Sequence, residues 1–79
     1  MKVTVKYLGN VAEQLKSEYE YIELPEATTY LQFLEVLNTM HPDLQGFVYK
    51  VAINQSIATE DVELKDDDEI AILPPYSGG

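Results

Sequence analysis

A chain of 79 residues with 46% apolar side chains makes one globular domain that hides about 60% of the surface its unfolded form exposes, too small a volume for a deep catalytic cavity. Fourteen acids face five lysines and no arginine, a formal charge of −9, which argues against nucleic acid and anionic membranes as partners because both need clustered cations. The chain has no cysteine, which removes a disulfide framework, a zinc ribbon and a cysteine nucleophile and fits a cytoplasmic setting. The acidity itself has two readings, solubility of a small domain or steering toward a basic partner, and composition does not separate them.

From Lys2 to Leu8 the chain alternates, with Val3, Val5 and Tyr7 on one face and Lys2, Thr4 and Lys6 on the other, the mark of a half-buried strand. Leu8 breaks the pattern as an apolar residue on the polar face. Gly9-Asn10 signals a turn, and Val11 to Leu15 fits a short helical turn. Glu18 to Leu24 alternates again, Ile22 and Leu24 opposite Tyr19 and Tyr21, until Pro25 stops it. Thr29 with Gln32 three residues on forms a capping box. It opens a helix whose Tyr30, Phe33, Leu34 and Leu37 make a buried stripe that Met40 extends, while Gln32, Glu35 and Asn38 face water. His41-Pro42 ends that helix. Phe47 to Ile53 predicts a third strand, Ile57 and Val62 to Leu64 a short irregular piece, Asp66 to Asp68 a polar turn, and Glu69 to Leu73 the last strand.

Strand, strand, helix, then further strands describes an α+β layer with one main helix packed on a mixed sheet of four to five strands. The predicted domain spans residues 1–73, followed by an extended tail over 74–79. With the first and last strands parallel at the sheet centre, Leu8 and Leu73 sit together at one end. Leu73 then shares the outward face of Ala71, while Ile70 and Ile72 point into the core. An outward apolar pair beside the tail exit is a docking patch or an ordinary scatter of surface leucines.

Tyr19, Tyr21, Tyr30 and Tyr49 are expected to pack on sheet and helix. His41, at a helix C-terminus, is expected to cap carbonyls and meet the negative end of the dipole rather than bind metal. Asp66 to Glu69 lacks the register of a calcium loop and is expected to be a solvated turn. The Gly78-Gly79 pair offers a backbone without Cβ, able to enter a slot closed to other residues. Pro74-Pro75 stiffens the root of the tail, and Pro74 to Gly79 reaches up to about 20 Å. A carboxylate with a pKa of about 3.5 is a poor electrophile and needs activation, most simply adenylation. The chain carries no phosphate-cradling glycine motif for ATP, so activation falls to a separate enzyme.

The run from Leu64 to Gly79, with its acidic turn, strand, double proline and terminal Gly-Gly, resembles the MoaD/ThiS-type ubiquitin-like sulfur carriers, the family of the small subunit of molybdopterin synthase. Ala52-Ile53-Asn54-Gln55 is similar to that family's strand-and-asparagine signature. Asp67 departs from it, standing where the family often has glycine. The resemblance covers essentially the whole chain and implies a β-grasp fold and a carrier cycle in the cytoplasm. In that cycle a ubiquitin-activating-type enzyme uses ATP to adenylate Gly79, and a donor converts it to a thiocarboxylate. The tail then enters the large synthase subunit of a heterotetramer and donates sulfur to a cyclic pyranopterin precursor for molybdenum cofactor biosynthesis. Gly79 bears the sulfur, Gly78 gives clearance, and Pro74, Pro75, Tyr76 and Ser77 lead the tail into the partner. Leu8, Ile57 and Leu73 are the implied docking positions. The chain itself binds no cofactor or metal, and the catalytic lysines and arginines belong to the large subunit. Two alternatives share the Gly-Gly end: a protein modifier joined to target lysines, and a sulfur carrier for thiazole or tRNA thiolation.

Overall fold

A computed structural model describes residues 1–75. Strand β1 (Lys2–Tyr7) buries Val3, Val5 and Tyr7. A six-residue helix, α1 (Asn10–Leu15), follows and buries Val11. β2 (Tyr19–Glu23) returns antiparallel to β1, in register from Lys2↔Glu23 to Lys6↔Tyr19. The predicted capping box opens α2 (Tyr30–Met40). Thr29 Oγ1 accepts from the Gln32 amide at 3.3 Å, and Gln32 Oε1 accepts from the Thr29 amide at 3.0 Å, so two otherwise orphaned amides serve each other's side chains.

β3 (Lys50–Ile53), β4 (Ser56–Ile57) and β5 (Glu69–Leu73) complete one sheet in the order β2-β1-β5-β3-β4. β1 and β5 are parallel at its centre, and the other pairs are antiparallel. Asn54 and Gln55, both at positive φ, make the tight turn between β3 and β4. Phe33 and Leu37 of α2 join Val3, Val5, Tyr7, Ile22, Val51, Ile70 and Ile72 of the sheet in one core, leaving the opposite sheet face uncovered. This is the β-grasp arrangement. No helix among the described residues is long and apolar enough to cross a membrane.

Three local expectations are corrected. Met40 does not extend the buried stripe and is 46% exposed. Pro42–Gly46 folds into a 3-10 turn that carries Leu44 into the core, so the end of the helix is covered from the next segment. The third strand starts at Lys50, not Phe47. Its partner β5 ends opposite Lys50 at Leu73, and the Phe47 amide is committed to the Leu44 carbonyl at 2.9 Å. Val62 to Leu64 adds no strand; it makes one bridge, Glu63 to Thr29, and buries Leu64.

Candidate functional site: the open sheet face and the root of the tail

The register places Lys6, Ala71, Ala52 and Ile57 in one row across β1, β5, β3 and β4, on the face away from α2 because their neighbours Val5, Tyr7, Ile70, Ile72 and Val51 are core. One step toward the tail, Leu8 follows Tyr7, which pairs with Ile72, and Leu73 pairs with Lys50. The Leu8 amide donates to the Ile72 carbonyl at 3.0 Å, so Leu8 and Leu73 meet at one end of the parallel pair, as the sequence predicts. Leu8 and Ile57 are about half exposed and Leu73 is half-buried. The register lines up Leu8 and Leu73, half-buried Ala71, buried Ala52 and exposed Ile57 as an apolar strip.

Charge on this face is mixed, with Glu23 opposite Lys2 and Glu69 opposite Thr4 in the same outward phase. Lys2, Lys6 and Lys50 all project here, and Lys6 pairs with Glu69 at 3.2 Å. Beside β1, Tyr19 and Tyr21, expected to pack on sheet and helix, stand more than half exposed on the outward sheet face. Their rings meet edge to face at 5.7 Å, and the Lys2 ammonium lies 5.1 Å from the Tyr21 ring. They fall on the outward phase of an edge strand, so they cover each other rather than the core.

β5 is the third of five strands, so the chain leaves the sheet at its centre, next to the apolar strip. Pro74 and Pro75 are half-buried at the exit. Tyr76, Ser77, Gly78 and Gly79 lie outside the described residues.

The acidic turn, at the other end of β5, is spent on the backbone. Asp66 Oδ1 accepts the Lys2 amide, and Asp68 Oδ2 accepts the Lys65 amide, each at 2.8 Å. Asn54 donates to Asp68 Oδ1 at 2.8 Å and accepts the Glu69 amide at 3.0 Å. Carboxylates are needed here as amide acceptors. The asparagine of the Ala52 to Gln55 signature therefore ties the β3–β4 turn to the start of β5.

The sequence pattern that defines the ThiS family matches residues 5–79. The chain belongs to the ThiS family. The human molybdopterin synthase sulfur carrier subunit is 33% identical over 85 residues, covering 99% of this chain and 94% of its own. A putative molybdopterin converting factor subunit 1 from Pyrococcus furiosus superposes with a TM-score of 0.88 at 28% identity, over 96% of this chain and 99% of its own. SAMP1 from Haloferax volcanii, a small archaeal modifier protein, superposes at 0.84 with 25% identity over the whole of both chains. A Helicobacter pylori complex of subunits 1 and 2 of molybdopterin-converting factor contains a chain that matches at 0.72 with 27% identity, again over the whole of both.

This ThiS-family chain also holds a polar cluster that sequence reasoning missed, on the helix side of the sheet. The Tyr7 hydroxyl donates to Glu20 Oε1 at 2.6 Å, and His41 Nε2 lies 2.6 Å from the same oxygen. The His41 side chain thus pairs with Glu20 instead of capping helix carbonyls, a correction; only its backbone amide closes α2, on the Leu37 carbonyl. Burial raises the Glu20 carboxyl, but hydrogen bonds from Tyr7 and His41 and the histidine's charge together outweigh it and hold the carboxyl below its ordinary value. Burial, then the bond to Glu20 and its negative charge, push the Tyr7 hydroxyl far above the usual tyrosine range. A signal for the cluster was present: Glu20 sits in the inward phase of β2 with Ile22 and Leu24.

Proposed function

We propose that this protein is a cytoplasmic sulfur-carrier subunit of a molybdopterin synthase whose Gly79 carboxylate is the group that carries sulfur. The observation that carries the reading is the exit of the chain from the central strand β5, directly beside the apolar strip of Leu8, Leu73 and Ile57. A partner that covers the strip thereby receives the tail at a defined place, and the lysines flanking the strip suit an acidic rim on that partner. The naming of the human relative and the two-subunit Helicobacter complex support a large-subunit partner.

In the proposed cycle the Gly79 carboxylate attacks the α-phosphorus of ATP on an adenylating enzyme and expels pyrophosphate. A donor delivering sulfur at the sulfide level displaces AMP and leaves a thiocarboxylate, which the large subunit brings to the pterin precursor. Transfer of the sulfur and hydrolysis return the carboxylate. Pro74 and Pro75 limit the freedom of the tail, Tyr76 and Ser77 lie along its path, and Gly78 lets it enter a narrow channel. The similarity to SAMP1 favours a second reading, a modifier that Gly79 joins to target lysines. Sulfur carriage for thiazole or tRNA thiolation uses the same terminal chemistry.

Intact mass of the protein isolated from its own cells, before and after thiol alkylation, tests this. The chain lacks cysteine, so a label that forms and is lost on deleting Gly79 reports a terminal thiocarboxylate. An unlabelled protein in cells actively making the cofactor overturns the reading, and high-mass conjugates on a blot favour the modifier. Adding one residue after Gly79 abolishes sulfur transfer while docking persists; normal turnover by that variant contradicts the mechanism.

A further inference from the structure

Gly9 sits where β1 turns into α1, at φ 56° and ψ −135°. This is the mirror image of the polyproline region, which side chains of L-residues disfavour. The turn redirects the Leu8 carbonyl, which would otherwise face β5, to accept the Val11 amide at 3.2 Å, and the Gly9 carbonyl accepts from Glu13 at 3.3 Å. On the other side, β5 makes its last contact with β1 at Ile72, whose carbonyl accepts the Leu8 amide, and Pro74 has no N–H with which to prolong that ladder. The proline ring takes the space beside Gly9. A Cβ built on Gly9 would stand 2.8 Å from Pro74 Cγ, closer than carbon atoms approach without displacement, and in contact with Pro74 Cδ at 3.4 Å.

A tight turn alone explains the backbone angle. It does not explain why the ring of the first tail residue occupies the position that a side chain would fill. We propose that Gly9 is a positioning residue for the sulfur-carrying tail: its bare Cα is the seat of Pro74, and this seat sets the direction in which the tail leaves the sheet. The inference rests on the sulfur-carrier reading above. It adds that the aim of the tail is set by a contact between the two ends of the parallel strand pair, and not by proline stiffness alone. A rigid tail pointed the wrong way is as unproductive as a loose one, because delivery to a reaction centre depends on placement to within about 1 Å.

A double-mutant cycle separates the seat from the strain. Wild type, Gly9→Ala, Pro74→Ala and the double variant are converted chemically to the Gly79 thiocarboxylate. Each is then mixed with the large synthase subunit and the pterin precursor, with single-turnover sulfur loss and binding affinity read separately. Gly9→Ala is expected to slow sulfur transfer at least tenfold while affinity changes less than threefold. In the Pro74→Ala background, where Cγ and Cδ are gone, the same Gly9→Ala change is expected to cost less than threefold, although the backbone strain and its effect on thermal stability remain. An equal cost in both backgrounds, or none in the wild-type background, overturns the seat.

Should Gly9→Ala not fold, the wild-type protein still decides the matter by NMR. Nuclear Overhauser contacts between the Gly9 Hα protons and the Pro74 ring protons are expected, and their absence overturns the proposal. A wild-type thiocarboxylate that never releases its sulfur counts against the sulfur-carrier reading, whereas an active wild type matched by an equally active Gly9→Ala counts against the seat alone.

Discussion

The Tyr7 hydroxyl donates to Glu20 Oε1 at 2.6 Å, joining the inward faces of β1 and β2 where His41, from the end of α2, meets the same oxygen. The folded state holds the Glu20 carboxyl below its ordinary value of 4.5. Its contribution is therefore complete above about pH 4.5 and is lost as the pH falls through the lower folded value. Glu20→Gln keeps the shape but surrenders the charge-assisted bonds, a cost of about 1–2 kcal/mol at neutral pH, or roughly 4–16 °C in Tm for a domain of this size. Thermal melts from pH 7 to pH 3 should show the two proteins converging below pH 4.5. A gap that stays constant to pH 3 would show that the carboxylate charge contributes nothing.

The strip beside the tail predicts a separation of binding from stability. Leu8→Lys and Leu73→Lys place a charge at the tail end of the apolar strip, on the sheet face away from the core. Each is expected to weaken binding of the large subunit at least tenfold, about 1.4 kcal/mol, while Tm moves by no more than about 4 °C, the range of surface substitutions. Calorimetric titration and thermal melts of the same samples check this. A collapse of Tm for Leu73→Lys would assign that residue to the core.

Thr29→Ala removes one half of the reciprocal cap at the start of α2 and leaves the Gln32 amide without its acceptor. The expected loss is about 1 kcal/mol, roughly 4–8 °C in Tm, measured by urea or thermal unfolding. Thr29→Asn, which retains a capping oxygen, should recover most of it.

What the sequence shows and what it hides divide along contact distance. The alternation of β1 is legible because one sheet face meets a helix and the other does not, and the cap at Thr29 is legible because both partners lie within one turn. Leu8 and Leu73 could be placed together because a parallel pairing of the first and last strands aligns their ends. Ile57 is legible as a docking position only through resemblance; its place in the strip depends on the row Ala71–Ala52–Ile57, which no local pattern encodes. Helical spacing puts Met40 in the buried stripe because it cannot show that Leu44, from the following turn, covers that end of the core. Tyr7, Glu20 and His41 come from three separate elements, and the one local trace of their meeting is a charged residue in an apolar phase.

Two turns of the same type make a graded prediction. The Thr28 amide donates to the Pro25 carbonyl at 3.3 Å and the Asp68 amide to the Lys65 carbonyl at 3.1 Å, so each closes a four-residue turn whose third residue is at positive φ: Ala27 at 66° and Asp67 at 68°. Glycine suits that position in a type II turn. Alanine there carries about 1–2 kcal/mol of steric cost, against about 0.5–1 kcal/mol of extra chain entropy for glycine. Ala27→Gly should therefore stabilise by roughly 0.5–1 kcal/mol and raise Tm by about 2–8 °C. Aspartate tolerates the left-handed region better than alanine, so Asp67→Gly should gain less. Thermal melts of the two variants side by side decide the order. A larger gain at Asp67 would mean that repulsion among Asp66, Asp67 and Asp68, and not backbone conformation, is the main cost in that turn.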